Sequence, residues 1–229
     1  MARFITLAGK KQVGKDTSAQ YIKQILESQE FWEPYSDQWH ETAGLRPKYR
    51  VHIVHFADAL KRACSEIFGI PLEDMETETG KRRSTEVCWP EDDSLMYADQ
   101  AGNTPPTAWR PSGSNRFMTV REVLQFVGTE LFRTQMDPDI WVKSVYRKKY
   151  CDNDIVIVAD CRFPNEAEFA AKHGILINVQ RDTGLENDGH ASETALDDYS
   201  GYHYVIDNNG SFMDLKANLI EILKKETFL

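Results

Sequence analysis

Short apolar runs alternate with amphipathic stretches from one end of this chain to the other. The runs are Phe4-Ile5-Thr6-Leu7-Ala8, Val51-His52-Ile53-Val54-His55-Phe56, Ile155-Val156-Ile157-Val158-Ala159, Ile175-Leu176-Ile177-Asn178-Val179 and Tyr204-Val205-Ile206. They are brief and mostly rich in β-branched residues, which predicts strands. The run 155–159 is apolar throughout, as a central parallel strand covered on both faces must be. Between the runs, apolar residues recur at helical spacing. Tyr21, Ile22, Ile25 and Leu26 share one face of a helix over 15–28. Leu60, Ala63, Cys64, Ile67 and Phe68 predict a buried stripe on a second helix, 57–68, stopped by Gly69. Thr119 and Glu122 form a capping box for a helix over 119–134, with a core stripe of Val120, Val123, Leu124, Val127 and Leu131. Further helices are predicted over Asp139 to Lys149, with Ile140, Trp141 and Val145 inward, over 165–173, and at the C-terminus with Phe212, Leu215, Leu219, Ile220 and Leu223. Strands alternating with helices predict a three-layer α/β domain around a five-stranded, mostly parallel sheet.

Two stretches break the pattern. Residues 29–50 mix Phe31, Trp32, Tyr35 and Trp39 with Pro34, Gly44 and Pro47, the composition of an ordered insertion or lid. Residues 71–118 are the least regular. They hold acidic Glu73, Asp74, Glu76 and Glu78, the triplet Lys81-Arg82-Arg83, and a loop rich in Pro, Gly and Ser from Pro90 to Asn115. A loop of that length is usually functional or disordered. The triplet is either a solvated charge run or a group that closes over phosphates. The 229 residues are read as one domain carrying these two insertions.

The turn after the first apolar run carries the strongest chemical signal. Gly9-Lys10-Lys11-Gln12-Val13-Gly14-Lys15 lies between a predicted strand and a predicted helix, the layout of a phosphate-binding P-loop. Loop amides and the helix N-terminus offer partial positive charge to a polyphosphate, and Lys15 adds a full charge for the β- and γ-phosphates. Gly9, Lys11, Val13, Gly14, Lys15, Asp16 and Thr17 form the candidate ATP-binding set. A hydroxyl residue usually follows the lysine to hold Mg²⁺. Here Asp16 stands in that place and Thr17 comes next, so either can reach the metal.

Other candidates lie at strand ends. Asp160 closes the central run, as an acid that steers Mg²⁺ and its waters would. Arg162 follows, where it can offset charge on a transferring phosphoryl group. Arg181 ends the next strand. Asp58 opens the helix after the second strand, as a cap or as a substrate contact. Arg121, Gln125 and Thr129 recur every four residues, either as a solvated face or as one that holds a phosphate and a base edge. Gly128 in mid-helix costs about 1 kcal/mol relative to Ala, which points to a close approach by another helix or a ligand.

Composition narrows the partners. A formal net charge of −9 argues against a nucleic-acid polymer, though not against a mononucleotide. No apolar stretch approaches the roughly 20 residues of a membrane span. Cys64, Cys88, Cys151 and Cys161 show no metal spacing and are read as reduced thiols of a cytoplasmic protein.

Across nearly its whole length the chain resembles the bacteriophage deoxynucleoside monophosphate kinases. The matching pieces are Gly14-Lys15-Asp16-Thr17, Phe56-Ala57-Asp58-Ala59-Leu60-Lys61, the helix from Thr119 through Arg121, Gln125, Gly128-Thr129-Glu130 and Arg133, and Trp141. Further on they are Asp160 to Glu166, Asp188-Gly189-His190-Ala191-Ser192-Glu193, and Val205 to Ser211. The resemblance implies a P-loop NTPase fold of the nucleoside monophosphate kinase type, with strand order 2-3-1-4-5. It implies transfer of the ATP γ-phosphate to a dNMP with Mg²⁺, in the cytoplasm of the host cell. Lys15, Asp160 and Arg162 are then the catalytic candidates, Arg181 joins the ATP site, and Asp16, Thr17 and Asp160 serve the metal. Asp58, Lys61, Arg121, Gln125, Thr129, Arg133, His190 and Glu193 become acceptor-site candidates. Animal-type phosphomevalonate kinase is similar in its Gly-Lys-Asp loop and its Asp-x-Arg, and a nucleotide-binding regulator without transfer activity is a third reading. The expected partners are ATP and dNMPs, with no nucleic-acid polymer and no membrane; a homodimer stays open.

Overall fold

The computed structural model describes residues 2–28, 30, 32–37, 42–89, 117–184 and 194–229, with backbone alone described at 33–37 and 42–46. The chain opens with β1 (Arg3–Ala8) and α1 (Lys15–Leu26), then β2 (Trp32–Asp37), β3 (Thr42–Pro47) and β4 (Arg50–Val54). There follow α2 (Asp58–Phe68), α3 (Leu72–Glu76), α4 (Glu78–Lys81), β5 (Ser84–Cys88), β6 (Phe117–Thr119), α5 (Val120–Gln125), a π-helix (Phe126–Thr134) and α6 (Ile140–Tyr146). Last come β7 (Asp154–Cys161), α7 (Pro164–His173), β8 (Ile175–Gln180), β9 (Tyr204–Asp207) and α8 (Phe212–Lys225). Two compact units result: Met1–Phe56 with Val145–Leu229, and Ala57–Ser144.

The five predicted strands form the sheet of the first unit, in the order β4-β7-β1-β8-β9. Every neighbouring pair is parallel. Numbered along the chain, these strands stand 2-3-1-4-5, as the resemblance implied. Alternation of side chains sorts the sheet into two faces. Ile5, Leu7, Ile157, Ile177 and Val179 pack with Ile22, Leu26, Leu215 and Leu219 of α1 and α8. Phe4 turns the other way, stacking on Tyr146, which meets Phe169 of α7. Sheet between two helical layers is the three-layer α/β arrangement of P-loop NTPases. β7 is buried along almost its whole length, as its unbroken apolar run requires. Phe212, expected in the core, is 65% exposed at the start of α8.

The irregular stretches hold more structure than their sequences suggest. β2 and β3 pair antiparallel, from Trp32 opposite Pro47 to Asp37 opposite Thr42. The 71–118 segment contributes α3, α4, and an antiparallel ladder of β5 with β6. Phe31, Trp39 and the loop 90–116 lie outside the described residues.

In the second unit, α2 buries Leu60 and Cys64 and ends at Gly69 as predicted, but Ile67 is 64% exposed, which narrows its stripe. The Thr119–Glu122 capping box is present: the Thr119 hydroxyl accepts from the Glu122 amide, and the Thr119 amide donates to Glu122 Oε2. The helix it opens is α-helical only to Gln125. From Phe126 it winds as a π-helix, with hydrogen bonds to the fifth residue. Each wider turn shifts later positions around the axis, so Val127 stays buried while Leu131 is 38% exposed. Beyond it, α6 is shorter than predicted and ends at Tyr146.

Candidate active site

The loop between β1 and α1 is shaped by two glycines. Gly9 has φ +140°, and a Cβ there would collide with the Val179 carbonyl oxygen. Gly14, the N-cap of α1, has φ +102°. Both backbones lie where a side chain is disfavoured. The loop is also clamped from outside. The buried Asn208 donates from Nδ2 to the Val13 carbonyl at 2.8 Å. Its own amide donates to the Gln180 carbonyl at 2.7 Å, so one turn after β9 ties the loop to the end of β8.

Lys15 is nearly buried at the start of α1. Its Nζ donates to the carbonyls of Gly9 and Lys10 at 2.7 and 2.6 Å, which points the ammonium across the loop where β- and γ-phosphates would sit. Asp16 follows it on the exposed side of the helix. His55, just past the end of β4, donates from Nε2 to Asp16 Oδ1 at 3.1 Å. That hydrogen bond holds the Asp16 carboxyl below its usual range against partial burial, with the charges of His55, Lys15 and Arg162 adding to the effect. Asp160 is the next-to-last residue of β7, the neighbour of β1, and its Oδ1 accepts from the Phe56 amide at 2.7 Å. Arg162 lies in the following turn, whose amides at Arg162 and Phe163 donate to the buried Glu166 carboxylate. The structure thus brings Lys15, Asp16, Asp160 and Arg162 to one end of the sheet.

Beside the loop is a cleft of about 800 Å³ lined by Gly9, Lys10, Val13, Asn178, Arg181, Tyr199, Tyr202 and Asn209, among others. Lys10 Nζ pairs across it with Asp197 at 2.8 Å. Aromatic and amide groups at the edge of a phosphate loop suit a nucleoside. Arg181, expected on the ATP side, is one of the cleft's lining residues.

The residues fit a magnesium ion. Asp16, Thr17 and Asp160 are hard oxygen donors on two adjoining elements. Among the described residues, no group of three or more His, Cys, Asp or Glu forms a ready-made cage. Mg²⁺ is normally held by one or two carboxylates with phosphate oxygens and waters, so this sparse set matches it.

The acceptor-side candidates fall in the second unit. Asp58 is the first residue of α2, with Ala57 as its N-cap, and one turn on Lys61 pairs with Glu76 at 2.8 Å. Arg121 on α5 pairs with Glu78 at 2.6 Å. Gln125 ends α5. Thr129 and Arg133 lie in the π-helix, where Thr129 is exposed. Gly128 is explained by a helix neighbour: a Cβ there would stand 2.7 Å from Leu60 Cδ2, and its carbonyl accepts from Trp141 Nε1 at 2.9 Å. His190 and Glu193 lie outside the described residues. In the sequence His55 stands in a strand run and Asn208 in the segment Val205 to Ser211, and neither is among the candidates. Their partners lie 39 and 195 positions away, and only the turn-rich run 207–211 hinted at the second.

Strand order, loop and lysine together define a P-loop nucleotide-phosphate site. A family model described as deoxynucleotide monophosphate kinase matches residues 87–219. A mimivirus protein (Acanthamoeba polyphaga mimivirus), provisionally described by the same activity, is 26% identical over 180 residues, covering 72% of this chain and 79% of that one. The deoxynucleotide monophosphate kinase of Enterobacteria phage T4 is 33% identical over 112 residues, 46% of each chain. A shikimate kinase structure from Bacteroides thetaiotaomicron aligns over 98% of both chains at 10% identity and a TM-score of 0.40, too low to refine the fold read from the strand order. The chain belongs to the deoxynucleotide monophosphate kinase family. The family match begins beyond the P-loop, so the loop adds a nucleotide-phosphate site that the matched segment does not contain.

Proposed function

We propose that this protein transfers the γ-phosphate of ATP to a deoxynucleoside monophosphate, giving ADP and the diphosphate for DNA synthesis. The observation that carries this reading is a family match over residues 87–219 in a chain whose separate N-terminal loop points Lys15 across a phosphate cradle. Phosphoryl transfer asks little covalent chemistry of a protein, which has to align the two substrates and offset charge. The loop amides and Lys15 hold the β- and γ-phosphates, and the cleft beside Arg181 takes the nucleoside. Mg²⁺, held by Asp16 or Thr17 with Asp160 behind, would supply charge neutralisation between the phosphates. Arg162 offsets charge on the group in transfer. Asp58, Lys61, Arg121, Gln125, Thr129 and Arg133 hold the acceptor, with His190 and Glu193 as further contacts. The acceptor phosphate is already ionised, so no general base is required. The working place is the cytoplasm, where nucleotides are present and its free thiols stay reduced.

The test is ADP formation from ATP and Mg²⁺ with each dNMP, each NMP and phosphomevalonate supplied in turn. Stimulation by one or more dNMPs is expected. Stimulation by phosphomevalonate alone, or by none of them while ATP still binds, overturns the reading.

A further inference from the structure

In the second unit three cations gather under two carboxylates. Lys61 Nζ donates to Glu76 Oε1 at 2.8 Å and Arg121 Nη2 to Glu78 Oε2 at 2.6 Å. Lys81 Nζ stands 3.9 Å from Glu78 Oε1. Lys61 and Arg121 come from α2 and α5, while Glu76, Glu78 and Lys81 come from the α3–α4 segment. The cations are the more buried partners. Lys61 and Lys81 side chains are 16% and 25% exposed, against 59% and 48% for Glu76 and Glu78. Burial presses the Lys81 ammonium below its usual range, Glu78 opposes this, and the charges of Lys61 and Arg121 press the same way as burial. Like charges this close call for an anion between them. Of the basic triplet, only Lys81 joins: Arg82 is exposed, and Arg83 pairs with Asp74 at 2.6 Å.

We propose that Lys61, Lys81 and Arg121 form the binding site for the acceptor's phosphate, and that Glu76 and Glu78 occupy it in its place until a deoxynucleoside monophosphate displaces them. This rests on the acceptor-binding reading of the second unit. A phosphate monoester carries about −1.5 to −2 charges near neutral pH, close to the charge of the two carboxylates it would replace. Glu76 and Glu78 stand about half exposed, and ion pairs open to water on the carboxylate side are weak, so the exchange is accessible. The glutamates then act as a competitive brake built into the chain, and any anion lacking the rest of the nucleotide competes poorly with them.

Steady-state kinetics of the whole chain test it. In the E76Q/E78Q variant the KM for dNMP is expected to fall about three- to fivefold, the scale of a lost exposed ion pair. The KM for ATP stays where it was. Inorganic phosphate inhibits competitively against dNMP, with a lower inhibition constant in that variant. Lys81→Met raises the KM for dNMP about tenfold, the loss of one charge-assisted hydrogen bond, and Lys81→Arg restores most of it. If E76Q/E78Q lowers the melting temperature but leaves both the dNMP KM and phosphate inhibition unmoved, the carboxylates are structural and the proposal is overturned. That pair decides even if Lys81→Met fails to fold. A wild-type chain that turns over no dNMP overturns the proposed function itself; an active wild type with unmoved variants overturns only this inference.

Discussion

Gly14 sits where two demands meet. Its φ of +102° disfavours any side chain, and a Cβ would stand 2.5 Å from Asn208 Nδ2, the atom that holds the Val13 carbonyl. Gly14→Ala therefore adds backbone strain of about 1–3 kcal/mol and pushes away the clamp on the loop. ATP affinity should fall at least about tenfold, as about 1.4 kcal/mol of this strain is enough to cause. Asn208→Ala removes the clamp without the strain, at a cost of about 1–3 kcal/mol for the buried group left behind. Calorimetric titration with an ATP analogue, beside thermal melts, separates the two: both variants should bind more weakly. Unchanged affinity in Asn208→Ala would show that the loop needs no clamp. Lys15, Asp160 and Arg162 were legible in the sequence because glycine spacing and strand ends mark them locally. Asn208 and His55 were not, since each acts on a partner that only the folded sheet brings near.

Among the elements, the long helix after Thr119 shows where sequence pattern reaches its limit. Its capping box is a three-residue signal and was read correctly. Its change to π-winding at Phe126 was hidden, because apolar positions at 123, 124, 127 and 131 suit an α-helix and Leu131 reveals the shift only by its exposure. The hairpin of β2 and β3 was hidden by proline and glycine within its strands, which local propensity counts against. Gly128 lies inside the π-segment against Leu60 of α2. Gly128→Ala drives a methyl group into Leu60 Cδ2 and should cost about 1–3 kcal/mol by overpacking. Leu60→Ala alone leaves a cavity, at about 2–5 kcal/mol. The double variant should lose less than the sum, because each change relieves the other, and urea melts of all four proteins measure the coupling. Strict additivity would mean the two residues do not press on each other. A different contact joins the starts of β4 and β7. Arg50 Nε donates to Asp154 Oδ1 at 2.9 Å, and the Cys151 amide donates to Oδ2 at 2.8 Å. Burial pushes the Asp154 carboxyl up, and these bonds outweigh it and hold it low. A depressed carboxyl stabilises the fold above its unfolded pKa, about 3.9, and the benefit is lost as pH falls through the lower folded value. Asp154→Asn should thus melt lower than wild type at pH 7, by about 1–3 kcal/mol in stability, with the gap closing below about pH 4. A gap that stays constant down to pH 3 would place the stabilisation elsewhere.

In the molecule as a whole, a net charge of −9 coexists with cations gathered in two places, Lys15 and Arg162 in one compact unit and Lys61, Lys81 and Arg121 in the other. The first of these groupings was legible in the sequence, because one motif and the strand ends mark it, whereas the strand order came only from the family resemblance. Of the second, Lys61 stood out only through the family resemblance, Arg121 on a polar helix face and Lys81 only as part of a basic triplet; that the three meet was not legible, since residues 61, 81 and 121 come from separate elements with no shared motif. If each unit binds its own substrate, each ligand should stabilise the chain separately. A ligand at a hundred times its dissociation constant adds about 2.7 kcal/mol. For a chain of this size that raises the melting temperature by roughly 5–10 °C. Lys15→Ala should lose most of the shift given by Mg²⁺ with a non-hydrolysable ATP analogue, and keep the shift given by a dNMP. Lys81→Met should keep the shift given by the triphosphate analogue and lose about half of that given by a dNMP, because a tenfold weaker ligand at the same concentration adds only about 1.4 kcal/mol. Turnover in Lys15→Ala should fall by about 10²–10³, the cost of losing one preorganised donor, while its melting temperature without ligand stays near wild type. The reciprocal pattern is the decisive readout. Loss of both shifts in Lys15→Ala would mean that the acceptor is held only once the triphosphate is in place, and that substrates bind in a compulsory order.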